Sequence, residues 1–160
     1  MPRLRILYVD DEADIREIVA LSLGLDSDVW VCSCASGAEA LAKAAEWSPD
    51  VILCDVVMPA MNGPATLARL REHPKTADIP FIFMTSRAQA REIEHFKSLG
   101  AIGVIVKPFD PMTLADAVRS HLRSAGVTAV HPAWPNAGDP GRRSGSRSWN
   151  ELSGGLIGPQ

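Results

Sequence analysis

The chain has 160 residues and a formal net charge of −3, which argues against a protein built mainly to hold nucleic acid. No stretch approaches the roughly 18 consecutive apolar residues that a membrane-spanning helix needs. Residues 1–5 lack the basic, apolar and small-residue zones of a signal peptide, so we expect a cytoplasmic protein with no membrane partner.

Five short apolar runs along the chain predict β-strands. They are Arg5–Val9, Val29–Cys34, Val51–Cys54, Ile79–Met84 and Val104–Val106. Five segments with helical spacing or helix-boundary residues alternate with these runs. They extend over about Asp14–Leu23, Ser36–Trp47, Pro64–Glu72, Ala88–Leu99 and Pro111–Ser124. This alternation with short loops predicts an α/β fold, a doubly wound five-stranded parallel sheet flanked by five helices.

The composition changes at about residue 125. Residues 127–160 are rich in Gly, Pro, Ser and Arg and have no sustained apolar period, so they are too short and broken for a second core. We therefore predict one domain over residues 1–124 and a flexible, disordered tail over 125–160. The tail carries scattered apolar residues, which are either docking points for a partner or simply part of a flexible tail: Trp134, Trp149, Leu152, Leu156 and Ile157. Arg142, Arg143 and Arg147 form a small basic patch, which would suit an anionic partner.

The chain has three cysteines, Cys32, Cys34 and Cys54, all in or beside predicted strands. An odd number in a chain without a secretion signal favours reduced core thiols over a disulfide framework. A Cys-x-Cys metal site would need further Cys or His at ligand spacing, and the sequence has none there.

Residues with reactive side chains follow four of the five predicted strands. Asp10 and Asp11 follow the first strand, Asp55 the third, Thr85 the fourth and Lys107 the fifth. Each has a simpler explanation when taken alone: a helix cap for the first two, a turn residue for Thr85, a solvated cation for Lys107. The carboxyl ends of parallel strands lie at one edge of a sheet, however, so all five side chains are expected in one cleft.

Clustered carboxylates at this edge would repel one another, by several kcal/mol at about 4 Å and an effective dielectric constant near 20. A hard divalent cation with oxygen ligands offsets that repulsion, and Mg²⁺, which needs only one or two carboxylates plus phosphate oxygens, suits the set. A carboxylate nucleophile, a metal, a lysine and a hydroxyl together predict a phosphoryl-acceptor site.

The chain resembles the receiver domains of two-component response regulators over roughly residues 3–124. The resemblance rests on four motifs in the order and spacing of that family: residues 7–12 (LYVDDE), residues 55–63 (DVVMPAMNG), Thr85-Ser86 and Lys107-Pro108-Phe109. It implies the flavodoxin-like receiver fold. It also implies that Asp55 is the phosphoacceptor, with a sensor histidine kinase or a histidine phosphotransfer protein as donor.

The resemblance also implies roles for the other site residues. Asp11, Asp55 and the backbone carbonyl of Val57 would bind Mg²⁺ directly, and Asp10 would act mainly through water. Lys107 would pair with the phosphoryl oxygens, and Thr85 would move to donate a hydrogen bond to one of them. The bond between Lys107 and Pro108 is usually cis in the family.

The sequence departs from the family pattern at positions that affect output. Val104 stands where many receivers have Tyr or Phe, so an aromatic switch cannot operate there. Residues 100–103 (GAIG) lack the acidic pair of many receivers that dimerise to bind DNA, which disfavours direct DNA binding. Val57 and Arg87 are placed to hinder the water that hydrolyses the phosphorylated aspartate, which predicts a long-lived phosphate.

We therefore predict a single-domain response regulator, a monomer or weak dimer, that acts as a switch or phosphorelay intermediate on a downstream protein. It would be no enzyme apart from its own phosphotransfer and dephosphorylation. One alternative is a phosphohydrolase with Asp55 as transient nucleophile, but such enzymes have a second acid where this chain has Val57. The other is a phosphorylation-independent interaction module, which typically loses an acid or the lysine.

Overall fold

A computed structural model describes residues 3–87 and 89–127 of the chain. The strands are β1 (Leu4–Val9), β2 (Val29–Cys34), β3 (Val51–Asp55), β4 (Phe81–Thr85) and β5 (Gly103–Val106). The α-helices are α1 (Ala13–Gly24), α2 (Gly37–Trp47), α3 (Gly63–Arg71), α4 (Ala90–Ser98) and α5 (Leu114–Ser124). Nearly all of the predicted tail and its apolar and basic residues lie outside the described residues.

The five strands form one parallel sheet in the order β2-β1-β3-β4-β5. Val9 of β1 pairs with Cys34 on one side and with Cys54 on the other. The chain therefore moves outward from β1 in one direction to form β2 and in the other to form β3. Open α/β sheets bind their ligands beyond the carboxyl ends of the strands where this direction changes, which here places the ligand edge after Val9 and Cys54.

Alternate residues of the strands enter two separate cores, as the period of two along a strand requires. On one face, side chains of the sheet pack with α1 and α5, through residues such as Val19 and Val118. On the other face, they pack with α2 and α3, through residues such as Ala44 and Leu67, and Phe96 of α4 packs against the same core. The doubly wound parallel fold is thus confirmed.

Local signals explain most of the element boundaries. Ser36 caps α2 by accepting a hydrogen bond from the Glu39 N–H at 3.1 Å, and the Glu39 carboxylate accepts one from the Ala35 N–H at 2.6 Å. Strand β4 begins two residues later than predicted, at Phe81, because Pro80 has no N–H to donate to the ladder. The predicted last helix begins with a separate 3-10 turn, Pro111–Thr113.

All three cysteines are free and buried, which confirms the prediction of reduced core thiols. Burial raises the pKa of Cys32 and of Cys54 well above the ordinary thiol value. In residues 3–87 and 89–127, no helix is long and apolar enough to cross a membrane.

Candidate functional site

Asp10 is held rigidly at the end of β1. Its side chain is fully buried, its Oδ2 accepts a hydrogen bond from the Tyr8 hydroxyl at 2.8 Å, and its Oδ1 accepts one from the Glu12 N–H at 2.9 Å. Arg16 donates to the Asp10 carbonyl oxygen at 2.8 Å. The N-cap of α1 is Glu12, so Asp10 and Asp11 do not take the simple role of helix caps.

Lys107 joins two of the carboxylates. Its Nζ donates to Asp55 Oδ2 at 2.9 Å and lies 3.6 Å from Asp10 Oδ2. Burial alone would lower the pKa of Lys107, but the hydrogen bond to Asp55 and the charge of Asp10 outweigh burial and raise it. Lys107 is therefore a fixed ammonium of the site and not a solvated loop cation.

Asp55 ends β3 and is almost fully buried, with 7% of its surface exposed. Burial raises the pKa of its carboxyl, and the charge of Asp10 adds to this rise. The hydrogen bond and charge of Lys107 lower it, as does the backbone N–H of Val57, but they only partly offset burial. Additional positive charge beside Asp55 would therefore favour its ionised form.

Three carboxylates meet at this edge of the sheet. One oxygen each from Asp10, Asp11 and Asp55 can be chosen so that all lie within 4.8 Å of one another. This set carries three negative charges against the single positive charge of Lys107. An all-oxygen donor set with surplus negative charge fits Mg²⁺. Asp11 is exposed, whereas both Asp10 oxygens already accept hydrogen bonds, which fits direct binding by Asp11 better than by Asp10.

Thr85 lies beside this cluster at the end of β4. Its side chain is buried, and its Oγ1 accepts a hydrogen bond from the Arg87 N–H at 3.0 Å. The Lys107 N–H donates to the Thr85 carbonyl oxygen at 2.8 Å, which joins the two strand ends. Thr85 therefore forms a local turn, as its simpler explanation required, and still has a hydroxyl proton to donate.

The loop after β3 brings the start of α3 against the back of Asp55. Gly63 donates its N–H to the Val56 carbonyl oxygen at 2.9 Å, and a Cβ at position 63 would lie 2.5 Å from the Asp55 carbonyl oxygen. Asn62 caps α3 by accepting from the Ala65 N–H at 2.8 Å. This close approach fixes the backbone that carries Asp55.

The structure brings Asp10, Asp11, Asp55, Thr85 and Lys107 to the same edge of the sheet, as predicted from the strand ends. Val57 lies in the adjoining loop with its side chain 77% exposed, and the use of its carbonyl as a metal ligand stays a prediction. The peptide bond between Lys107 and Pro108 is cis.

Sequence reasoning missed two contributors to the site. Tyr8 is fully buried and hydrogen-bonded to Asp10, and burial together with the Asp10 charge raises the pKa of its hydroxyl far above the ordinary value. Tyr8 lies two residues before Asp10, so the period of two along a strand places both side chains on the same face. That spacing could have indicated a contact between them. Gly63 ends one of the motifs, but the sequence does not show that its lack of a side chain is needed for contact with Asp55.

The half-buried Val104 is paired with Phe83 across β4 and β5 and packs against the core that contains Phe81 and Phe83, as Phe96 also does. The ring centroids of Phe83 and Phe96 are 4.9 Å apart. Aromatic side chains therefore fill the core next to position 104, while position 104 itself carries a small branched side chain.

Comparisons with known proteins agree with this geometry. Residues 6–119 match the sequence profile of the response regulator receiver domain. The chemotaxis response regulator CheY4 of Vibrio cholerae is similar in structure, with a TM-score of 0.69 at 35% sequence identity. That match covers 75% of this chain and 99% of the CheY4 chain.

Two curated relatives are longer proteins. The transcriptional regulatory protein SrrA of Staphylococcus aureus is 36% identical over 135 residues, which cover 84% of this chain and 54% of SrrA. The DNA-binding dual master transcriptional regulator RpaA of a Synechocystis species is 34% identical over 120 residues, which cover 74% of this chain and 49% of RpaA. The chain thus spans about half the length of the curated relatives it matches.

Proposed function

This chain belongs to the family of response regulator receiver domains, and on that premise we propose that Asp55 is its phosphoacceptor. The phosphoryl donor is a sensor histidine kinase or a histidine phosphotransfer protein. The chain then works as a single-domain switch or phosphorelay intermediate that acts on a downstream protein. The similarity to CheY4, a response regulator whose chain the match covers almost completely, supports a receiver domain that works as a switch.

The observation that carries the proposal is the contact of Lys107 Nζ with Asp55 Oδ2 at 2.9 Å, inside a cluster of three carboxylates. An Asp55 oxygen attacks the phosphorus of the donor phosphohistidine, the phosphorus–nitrogen bond breaks, and the leaving imidazole keeps the electron pair and takes up a proton. Lys107 is close enough to neutralise the charge that moves onto the phosphoryl oxygens. Thr85 donates its hydroxyl proton to one of those oxygens.

We propose that Asp11, Asp55 and the Val57 carbonyl hold Mg²⁺, with Asp10 acting through water. When bound, this ion supplies positive charge that offsets both the carboxylates and the incoming phosphoryl group. The cluster of three carboxylates within 4.8 Å supports this assignment. Asp10 keeps a separate task, since its contacts with Tyr8 and Lys107 orient the ammonium toward Asp55.

A long-lived phosphate is part of the proposal. The Val57 side chain is 77% exposed beside Asp55 and has no polar group to orient an attacking water. We expect Val57→Asn to shorten the lifetime of the phosphorylated protein, because a side-chain amide can position that water. A time course of dephosphorylation, followed by intact mass, measures this lifetime. The control is Ile18→Asn, at an exposed apolar position on α1, which should keep the wild-type lifetime. Equal lifetimes of Val57→Asn and wild type would contradict the assignment of Val57 as the barrier.

The test of the phosphoacceptor is incubation with Mg²⁺ and acetyl phosphate or phosphoramidate, followed by intact-mass measurement. A stable adduct of one phosphoryl group that is absent in Asp55→Ala supports the proposal. The matched control is Asp116→Ala, since the Asp116 side chain is 85% exposed on α5 and the adduct should persist there. Phosphate release without an adduct indicates a phosphohydrolase, and no reaction indicates a phosphorylation-independent module.

The partner assignments stay proposals. SrrA and RpaA are named as transcriptional regulators, and the matched residues cover only about half of each. We propose that this chain does not bind DNA itself, acts in the cytoplasm and is a monomer or weak dimer. Sedimentation of the phosphorylated and unphosphorylated protein at several concentrations tests the last point, and a tight dimer in either state would overturn it.

A further inference from the structure

Helix α1 begins without the side-chain cap that α2 and α3 have. Ser36 caps α2 by accepting a hydrogen bond from the Glu39 N–H, and Asn62 caps α3 by accepting one from the Ala65 N–H. The N-cap of α1 is Glu12, whose side chain makes no capping hydrogen bond. A different contact ties the start of this helix to the loop before it, residues 10–12.

Arg16 supplies that contact. Its backbone N–H donates to the Glu12 carbonyl oxygen at 3.1 Å, which closes the first turn of the helix. Its half-buried side chain reaches back past the start of the helix, and Nη1 donates to the Asp10 carbonyl oxygen at 2.8 Å. Side chains of a helix lean toward its N-terminus, which makes this reach short. One residue thus joins α1 to the end of β1.

The Arg16 guanidinium binds a neutral carbonyl although acidic residues are close in sequence. Glu12, Asp14 and Glu17 are all exposed beside it on the chain. Within residues 3–87 and 89–127, Arg16 forms no ion pair with them or with any other carboxylate. A hydrogen bond from a charged donor is roughly twice as strong as one between neutral groups. Arg16 therefore fixes the backbone of the loop and leaves the nearby carboxylates free.

The carbonyl that Arg16 holds belongs to the peptide unit between Asp10 and Asp11. A peptide unit is planar and includes the Cα atoms at both of its ends. A contact that fixes the oxygen of this unit therefore also fixes the N–H and the Cα of Asp11. The direction in which Asp11 presents its carboxylate depends on that plane.

Asp11 is the carboxylate of the cluster that has the least support from its own side chain. The side chains of Asp10 and Asp55 accept hydrogen bonds from Tyr8 and Lys107, at 2.8 Å and 2.9 Å. Asp11 is exposed, and no hydrogen bond from the part of the chain that the structure describes reaches its carboxylate. Its placement within the cluster therefore depends on the backbone that carries it.

We propose that Arg16 is a positioning residue of the metal site, which directs the Asp11 carboxylate toward Asp10 and Asp55 by holding the peptide before it. This inference rests on the proposed function, in which Asp11 and Asp55 bind Mg²⁺. Replacing a residue that orients a metal ligand typically weakens metal binding about 10–100-fold. The competing role is support of the fold alone, in which Arg16 would affect stability and not the ion.

The experiment titrates the ¹⁵N-labelled full chain with MgCl₂ and follows the amides of residues 10–12 and 55–57 by NMR. We expect Arg16→Met to raise the Kd for Mg²⁺ by about 10-fold or more relative to wild type. Arg16→Lys keeps a charged donor on a long side chain and should recover most of the affinity. An Arg16→Met variant that binds Mg²⁺ as tightly as wild type would overturn the proposal.

The matched control is Arg119→Met, which loosens the same helix at its other end. Arg119 of α5 forms an ion pair with Asp26 at 2.9 Å, just beyond the C-terminus of α1. This variant should unfold at a lower urea concentration in EDTA and keep the wild-type Kd for Mg²⁺. An equal rise of the Kd in both arginine variants would assign the effect to general loosening of α1 and overturn the role of Arg16.

The Mg²⁺ dependence of phosphorylation gives a second measurement. With acetyl phosphate as donor, Arg16→Met should need about 10-fold more Mg²⁺ to reach half of its maximal rate. Its rate at saturating Mg²⁺ should stay within a few-fold of wild type, because Asp55 and Lys107 are unchanged. A lower rate at saturation with an unchanged half-maximal Mg²⁺ concentration would contradict a role in placing Asp11.

Asp11→Ala separates this inference from the proposed function. If wild type does not respond to Mg²⁺ at residues 10–12 and 55–57, or if Asp11→Ala binds the ion as tightly, the metal site and the role of Arg16 both fail. If Asp11→Ala loses affinity and Arg16→Met does not, the metal site stands and only the role of Arg16 fails. We expect both variants to lose affinity.

Discussion

A cation is packed at each end of the sheet, and the two lie in different surroundings. Arg5, at the amino ends of the strands, has only 4% of its surface exposed. Its guanidinium donates to the Trp47 carbonyl oxygen and lies over the Trp47 ring, 5.2 Å from the centroid. The Arg5 N–H also donates to Asp50 Oδ2 at 2.8 Å.

Lys107, at the carboxyl ends, lies in a cluster of carboxylates. It contacts Asp55 and Asp10 directly, and Asp11 belongs to the same cluster. Arg5 donates to a backbone carbonyl oxygen and packs against an aromatic ring, and these contacts serve stability. One ammonium leaves the three carboxylates with surplus negative charge, which an additional cation would offset. We call the amino ends of the strands, around Arg5, the structural end of the sheet. We call their carboxyl ends, around Lys107, its chemical end.

Removing Lys107 tests the chemical end most severely. We expect Lys107→Met to lower the rate of phosphorylation by acetyl phosphate about 100-fold, because a positioned charge next to the phosphoryl oxygens is lost. Intact-mass time courses with Mg²⁺ measure this rate. Lys75→Met, at an exposed lysine after α3, is the control and should keep the wild-type rate. A Lys107→Met rate within a few-fold of wild type would show that the lysine does not assist transfer.

Mg²⁺ should stabilise the chemical end and leave the other unaffected. At a free concentration of about 100 times its Kd, a ligand raises the free energy of unfolding by about 2.7 kcal/mol. We expect this gain for wild type and its loss in Asp11→Ala, measured by urea unfolding with Mg²⁺ or with EDTA. Without the ion, Asp11→Ala should be at least as stable as wild type, since one repelling charge is gone. A full gain in Asp11→Ala would place the ion elsewhere.

Replacing Arg5 tests the structural end. We expect Arg5→Met to lower the free energy of unfolding by about 1–3 kcal/mol, because the Trp47 carbonyl oxygen loses its donor and the ring its cation. Phosphorylation of Asp55 should proceed at the wild-type rate at a temperature where the variant is folded. A variant that keeps full stability but phosphorylates slowly would reverse the roles that we assign to the two ends.

Tyr8→Phe should have the smallest effect on the phosphorylation rate, and it tests whether Asp10 needs the Tyr8 hydroxyl to hold its position. The substitution removes one hydroxyl from a fully buried ring and keeps its shape, so the fold should be retained. The loss of one hydrogen bond to Asp10 is worth about 0.5–1.5 kcal/mol, which predicts a change of a few-fold in the phosphorylation rate. The same mass time course measures it, and an unchanged rate would mean that Asp10 needs no help to stay in place.

The chemical end was predictable from sequence because its residues sit at strand ends. Apolar runs locate the strands, and parallel strands bring Asp55, Thr85 and Lys107 to one edge without any knowledge of side-chain packing. The structural end was not predicted, because the contact of Arg5 with Trp47 joins residues 42 positions apart and follows no local pattern. The role of Tyr8 was partly predictable. The alternation of side chains along β1 places Tyr8 on the same face as Asp10, but it does not reveal the hydrogen bond between them.

The fit of Gly63 behind Asp55 has a consequence for genetics. A Cβ at this position would meet the Asp55 carbonyl oxygen at 2.5 Å and the Phe83 ring at 3.0 Å, so even alanine forces the backbone under the reactive carboxylate to move. A random screen for signalling-dead alleles should therefore recover changes at codon 63 as readily as changes at codons 55 and 107. Such alleles would carry every chemical group of the site and still fail.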